Sequence, residues 1–204
     1  MIAVLLPPPL GGTAHLPDLA RALPDHGYPT VLPRVSDDDR PPFAARYVAR
    51  ASLETHRLVD EQEARDGGSR TPVALVAEGD AGPLLSAVGA AQRAAHRPVR
   101  AYVFVNAWLP QPGSPTREEI VRRQTPEEGG RPVVGDKTPD GYWPERLQTV
   151  PDWPDAPCGY LLTDPAREHI AKLARMRGWV VRESTGEPRE AGEVLAGLLT
   201  DLHG

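Results

Sequence analysis

The chain has 204 residues, 40% hydrophobic and 25% charged, which suffices for one domain of two or three layers and not for two ordinary ones. Aromatic residues supply only 5%, while 24 Pro and 19 Gly exceed a fifth of the chain, so the core is expected to be aliphatic and the connections turn-rich. A formal charge of -5 gives no electrostatic footprint for nucleic acid or an anionic membrane, and the single cysteine, Cys158, excludes a disulfide framework and a cysteine-based metal site.

The elements follow in chain order. Ile2 to Leu6 is a short apolar run, too short to span a membrane and without a basic leader region, so it reads as the first strand of a mature, cytoplasmic protein. Leu16, Leu19, Ala20 and Leu23 then form a helical stripe, and Thr30 to Leu32 is a second strand. Ser36 to Pro42 breaks the rhythm, and its Asp37-Asp38-Asp39-Arg40 run reads as a solvated loop. Ala44 to Arg65 is helical in pattern, Val73 to Ala77 is a strand, and Leu84, Leu85, Val88 and Ala91 form the next helical stripe. Ala101 to Val105 is a fourth strand. Pro110 to Pro157 is proline-rich and aperiodic; it is longer than an ordinary connection, so it reads as a cap or lid anchored by Tyr142 and Trp143, or else as a loose insertion. Gly159 to Leu162 and Trp179 to Val181 close the strand series, separated by a stripe at Ile170, Leu173 and Ala174 and followed by one at Val194, Leu195, Leu198 and Leu199.

None of the six runs alternates apolar with polar residues, so each is expected to be buried on both faces. Six strands alternating with helices specify a doubly wound, mostly parallel α/β sheet with right-handed crossovers, built as one domain over residues 1–204. Ligands of such sheets bind beyond the carboxyl ends of the strands, where strand order reverses. That crevice is expected between Pro7-Pro8-Pro9-Leu10-Gly11-Gly12 and Ala77-Glu78-Gly79-Asp80-Ala81-Gly82, two turns that each lead into a helix. The Gly11-Gly12 turn lacks the lysine and hydroxyl residue of a phosphate loop, and no histidine pair has metal-ligand spacing, so neither cofactor nor metal is expected.

The run from Val73 to Leu85 resembles the nucleophile elbow of the α/β-hydrolases, with Ala77 at the first Gly of G-x-S-x-G, Gly79 at the nucleophile and Ala81 at the second Gly. RAYVFVNAWLP and WPDAPCGYLL resemble later strands of small actinobacterial members. The resemblance begins at the family's third strand, without its N-terminal hairpin, and puts Pro7 to Gly12 in the place of the oxyanion loop. It also implies what is missing. Gly79 has no side chain to attack with, and Ser184 to Glu190, where the family carries its histidine, has none. Asp164 is either the surviving family acid or a helix cap ahead of Pro165, and Asn106 stands where related sequences often carry Asp. Pro8 and Pro9 have no N–H to give, so a second oxyanion donor would come from Leu10, Gly11 or Gly12. A residual esterase using Ser86 or Ser114 has no placed base.

Glu78 and Asp80 flank the elbow glycine and either act as a coupled acid and base, or are held by backbone N–H groups and a helix cap respectively. His15 borders the crevice as a proton shuttle or as a solvated residue at a helix start. Trp108, Tyr142 and Trp143 are expected to wall a pocket for a small-molecule or peptide ligand, while Trp153 and Trp179 read as core. The resulting expectation is a hydrolase-like protein without hydrolysis. It is a non-hydrolytic enzyme of specialised metabolism (epimerase, isomerase, cyclase or elimination type) using Glu78, Asp80 or His15, with a noncatalytic binding protein as the alternative. A homodimer is left open.

Overall fold

A computed structural model describes residues 1–11, 15–35, 40–125, 138–148 and 150–203. The apolar runs form β1 (Ile2–Leu6), β2 (Thr30–Val31), β3 (Val73–Glu78), β4 (Val99–Val105), β5 (Cys158–Leu162) and β6 (Val180–Glu183). Every residue of β1, β3 and β5 is buried, as expected of strands covered on both faces. The helices are α1 (Leu16–Ala22), α2 (Phe43–Arg65), α3 (Leu85–Ala94), α4 (Arg117–Gln124), α5 (Glu168–Met176) and α6 (Pro188–His203).

The sheet order is β2-β1-β3-β4-β5-β6, and all five pairs are parallel. Because side chains alternate along a strand, the two faces bury separate sets. Val4, Leu6, Leu75, Phe104 and Tyr160 pack with α2, α3 and α5, and Ala3, Leu5, Val76, Val103 and Leu161 pack with α1 and α6. The chain leaves β1 through α1 on one face and returns through α2 on the other to β3, so strand order reverses between β1 and β3. Their carboxyl ends are Leu6 and Glu78, which sets the crevice where the alternation of elements puts it.

Two differences from the sequence reading have plain causes. The last strand runs on to Arg182 and Glu183, both exposed, because an edge strand needs no second apolar face. The 110–157 segment contains α4, missed because only Ile120 and Val121 of its eight residues are apolar. The Ser36–Asp39 part of the acidic run lies outside the described residues. Among the described residues no helix is long and apolar enough to cross a membrane.

Candidate active site

Glu78 is the last residue of β3 and follows Val76 in parity, so its carboxylate lies on the α1/α6 side of the sheet. There it meets His15, which immediately precedes α1. His15 Nδ1 is 2.9 Å from Glu78 Oε1, with side-chain exposures of 26% and 7%. The other ring nitrogen, Nε2, lies 3.3 Å from Thr163 Oγ1, just past β5. Asn106, just past β4, donates from Nδ2 to that same oxygen at 2.6 Å, and its Oδ1 accepts the backbone N–H groups of Thr163 (2.9 Å) and Asp164 (3.2 Å). Asn106 holds this double role at φ +47°, a left-handed conformation that Asn tolerates better than most residues.

With Glu78 ionised and His15 neutral, the donors and acceptors assign the protons. An ionised Glu78 only accepts, so His15 Nδ1 carries the hydrogen. Nε2 of that tautomer only accepts, so the Thr163 hydroxyl, itself accepting from Asn106, donates its proton to Nε2. The result is a carboxylate, an imidazole and a hydroxyl in series across the ends of β3 and β5. His15 is therefore engaged on both ring nitrogens and is not simply solvated. Glu78 is satisfied by an imidazole rather than by backbone N–H groups, and its Oε2 is buried without a partner among the described residues. A cleft of about 160 Å³ opens beside His15, walled by Leu19, Gly186 and Pro188. Gly186 belongs to the loop after β6, and a Cβ on it would stand 3.2 Å from the Thr163 carbonyl oxygen. The loop after β6 thus packs against the Thr163 backbone, while the imidazole comes from the segment that follows β1.

Asp80 belongs to a different environment, which corrects the coupled-pair expectation. It lies inside a 3-10 turn over Gly79–Leu84 that starts before it, so it is not the cap of the helix. Burial pushes its carboxyl above the ordinary range, opposed by Arg117, Arg167 and a hydrogen bond from Trp108. Asp80, Trp108, Arg117 and Trp143 enclose a space of about 10 Å³, room for about one water. Tyr142 is fully buried, edge-on to Phe43 at 5.6 Å and to Trp143 at 5.4 Å. Arg117 stacks 4.1 Å from its ring centroid and donates to Glu145 Oε2 at 2.6 Å. Of the residues expected to wall a pocket, Trp108 and Trp143 therefore border only this small space, while Tyr142 is packed shut by Phe43, Trp143 and Arg117.

Gly79 takes φ +56°, and a Cβ there would meet Pro8 Cγ at 3.5 Å. Gly82 packs so closely that a Cβ would stand 2.1 Å from the Trp108 carbonyl oxygen. The Gly11 N–H is spent on Pro8 O at 3.0 Å, so it is not an oxyanion donor. Leu10 is half-buried in the same turn, and Gly12 lies outside the described residues. Asp164 caps: its side chain accepts from the Ala166 N–H at 2.9 Å, with Pro165 at the first position. Ser114 Oγ donates to the Leu147 carbonyl, and Ser86 is buried on the opposite sheet face from His15. The hydroxyl that does meet an imidazole, Thr163, was missed because nothing local in the sequence marks it.

No protein-family model matches the chain, and no curated protein matches it in sequence. Solved structures do match in shape. An extracellular α/β-hydrolase from a Paenibacillus species is 11% identical with a TM-score of 0.58, covering 99% of this chain and 98% of that one. The NocB thioesterase domain, solved as a covalent complex with a fluorophosphonate nocardicin G analog, is 18% identical at 0.55, covering 97% and 94%. An esterase of Pyrobaculum calidifontis is 15% identical at 0.54, covering 99% and 75%. The chain has the α/β-hydrolase fold.

Proposed function

We propose that this protein is a non-hydrolytic enzyme in which Glu78 and His15 transfer a proton to or from a small molecule, in a reaction of the epimerisation, isomerisation, cyclisation or elimination type. The observation that carries the reading is the 2.9 Å contact from His15 Nδ1 to Glu78 Oε1, with Nε2 turned to the Thr163 hydroxyl. Glu78 holds the tautomer in which Nε2 is the base and stabilises the imidazolium that forms. In the simplest step a C–H bond next to a carbonyl breaks and an N–H bond forms at Nε2, the electron pair moving onto the carbonyl oxygen. The proton returns to the same or a neighbouring carbon. The long 3.3 Å contact to Thr163 is the one a substrate displaces, or the hydroxyl passes the proton on.

Acyl transfer through Thr163 is the second reading, favoured by the order carboxylate, imidazole, hydroxyl. Distance weighs against it. The elbow N–H that serves the family as an oxyanion donor lies at the end of β3, two strand spacings or roughly 9.6 Å from the end of β5. Thr163 is also 7% exposed, which leaves little path for an ester carbonyl.

The test is incubation of the full chain in D2O with phenylpyruvate, ethyl acetoacetate and an acetoacetyl thioester, followed by proton NMR, alongside intact-mass measurement with p-nitrophenyl acetate. The expected result is exchange of an α-proton above the buffer rate and no acyl adduct. An acetyl adduct abolished by Thr163→Val would overturn the proposal in favour of acyl transfer. Saturable binding of these probes without exchange would overturn it in favour of a noncatalytic binding protein.

A further inference from the structure

The face of the sheet opposite α1 and α6 carries a second and larger cavity. Its floor is aromatic: Trp179 stacks on Phe104 of β4 with centroids 5.0 Å apart and planes 19° apart, and Trp153 stands edge-on to Phe104 at 6.2 Å and to Trp179 at 5.8 Å. Pro83, Ile120 and Leu147 line the walls of a space of about 620 Å³, within the range of roughly 300–1,000 Å³ typical of small-molecule sites. It shares no lining residue with the His15 cleft. The two tryptophans read as core in the sequence are partly buried and serve as its base.

One cation stands at this apolar space. Arg177 follows α5, donates from Nη1 to the Pro110 carbonyl at 2.9 Å and lies with its guanidinium 5.3 Å from the Trp179 ring centroid. Among the described residues no carboxylate pairs with it. The acidic residue of the lining, Asp152, is exposed and forms no ion pair with Arg177. Arg177 is exposed at the rim of the cavity, and its guanidinium is nonetheless lowered from its ordinary range by the part of the side chain that packs inward. A guanidinium held at the rim by one carbonyl and one ring, without a counter-ion among the described residues, has donors left to offer to a planar anion.

We propose that this cavity binds an amphipathic organic anion, an aryl or alkyl carboxylate whose apolar body lies on Trp153 and Trp179 and whose carboxylate is held by Arg177. The apolar floor contributes affinity and the single cation orients the guest, the division of labour usual in small-molecule sites. The site lies on the other face of the sheet and shares no lining residue with the cleft at His15, so it is separate from the proposed chemistry there and stands whether or not that reading holds.

The test titrates the full chain with 4-phenylbutyrate, 4-phenylbutan-1-ol and 4-phenylbutylamine, read by tryptophan fluorescence and calorimetry, with near-UV circular dichroism to verify the fold of each variant. The acid is expected to saturate and to bind at least tenfold more tightly than the alcohol. Arg177→Gln removes that preference, and Arg177→Glu moves the preference to the amine. Absence of saturable binding by all three, or a preference for the acid that survives both variants, overturns the assignment.

Discussion

Asn106 controls where the Thr163 proton goes. Its amide nitrogen donates to Thr163 Oγ1, which leaves the hydroxyl proton free to face His15. Asn106→Asp keeps an acceptor for the Thr163 and Asp164 N–H groups but replaces the donor by a second acceptor, so the hydroxyl turns away from His15 towards the new carboxylate. Proton exchange should fall about tenfold or more in this variant if Thr163 passes the proton on, and an unaltered rate would show that Thr163 takes no part. Asp80 gives a prediction of opposite character. Its folded-state carboxyl is raised above the ordinary range by burial, so the folded chain binds that proton more readily than the unfolded chain and the ionised group costs stability. Asp80→Asn is therefore expected to melt higher than the parent at pH 7. The advantage should shrink as the pH is lowered through the folded-state pKa, where the parent regains its proton. Calorimetric scans against pH check the sign.

At the level of elements, α4 shows what the sequence offered and what was passed over. Thr116 and Glu119 form a reciprocal capping box: the Thr116 side chain accepts the Glu119 N–H at 3.1 Å, and Glu119 Oε2 accepts the Thr116 N–H at 2.8 Å. That T-x-x-E signal stood in plain view inside the proline-rich stretch, but only two apolar residues follow it, too few for a helical stripe. Thr116→Ala should cost about 1 kcal/mol. Because α4 carries Arg117, it should also loosen the packing on Tyr142, visible as faster hydrogen exchange in α4. The strands and the crevice were legible because a doubly covered parallel strand is a continuous apolar run and the turns after β1 and β3 carry distinctive glycines and prolines. The crevice's contents were legible only in part. His15 and Glu78 could be named from their positions, but their contact spans 63 residues, and Thr163 meets His15, with Asn106 behind it, only because four strand ends converge. Of Trp108, Tyr142 and Trp143, read as pocket walls, Trp108 and Trp143 line a small space beside Asp80, while Tyr142 is buried under Arg117, a charged residue whose burial the sequence does not mark.

Across the whole molecule the two faces have different duties. The α1/α6 face carries the imidazole centre, while the other is tied together at its far end by Arg97, fully buried, with Glu63 at 2.7 Å and the half-exposed Asp60. Glu63 is held below the ordinary carboxylate range: burial would raise it, but the Thr71 N–H and Arg97 outweigh burial. That pairing therefore contributes stability above the unfolded carboxylate pKa and loses it as the pH falls through the lower folded value. Arg97→Ala should cost roughly 3–5 kcal/mol in urea denaturation, since it strands a sheltered carboxylate, whereas Asp60→Ala should cost no more than about 1 kcal/mol. Neither change touches the crevice, which makes both useful controls for variants at His15. The decisive measurement is the pH profile of α-proton exchange in D2O for the parent protein and for His15→Gln. The account predicts that His15→Gln is slower than the parent by about 100-fold or more at neutral pH, with a different pH profile. Equal rates and equal pH profiles in the two proteins would contradict it.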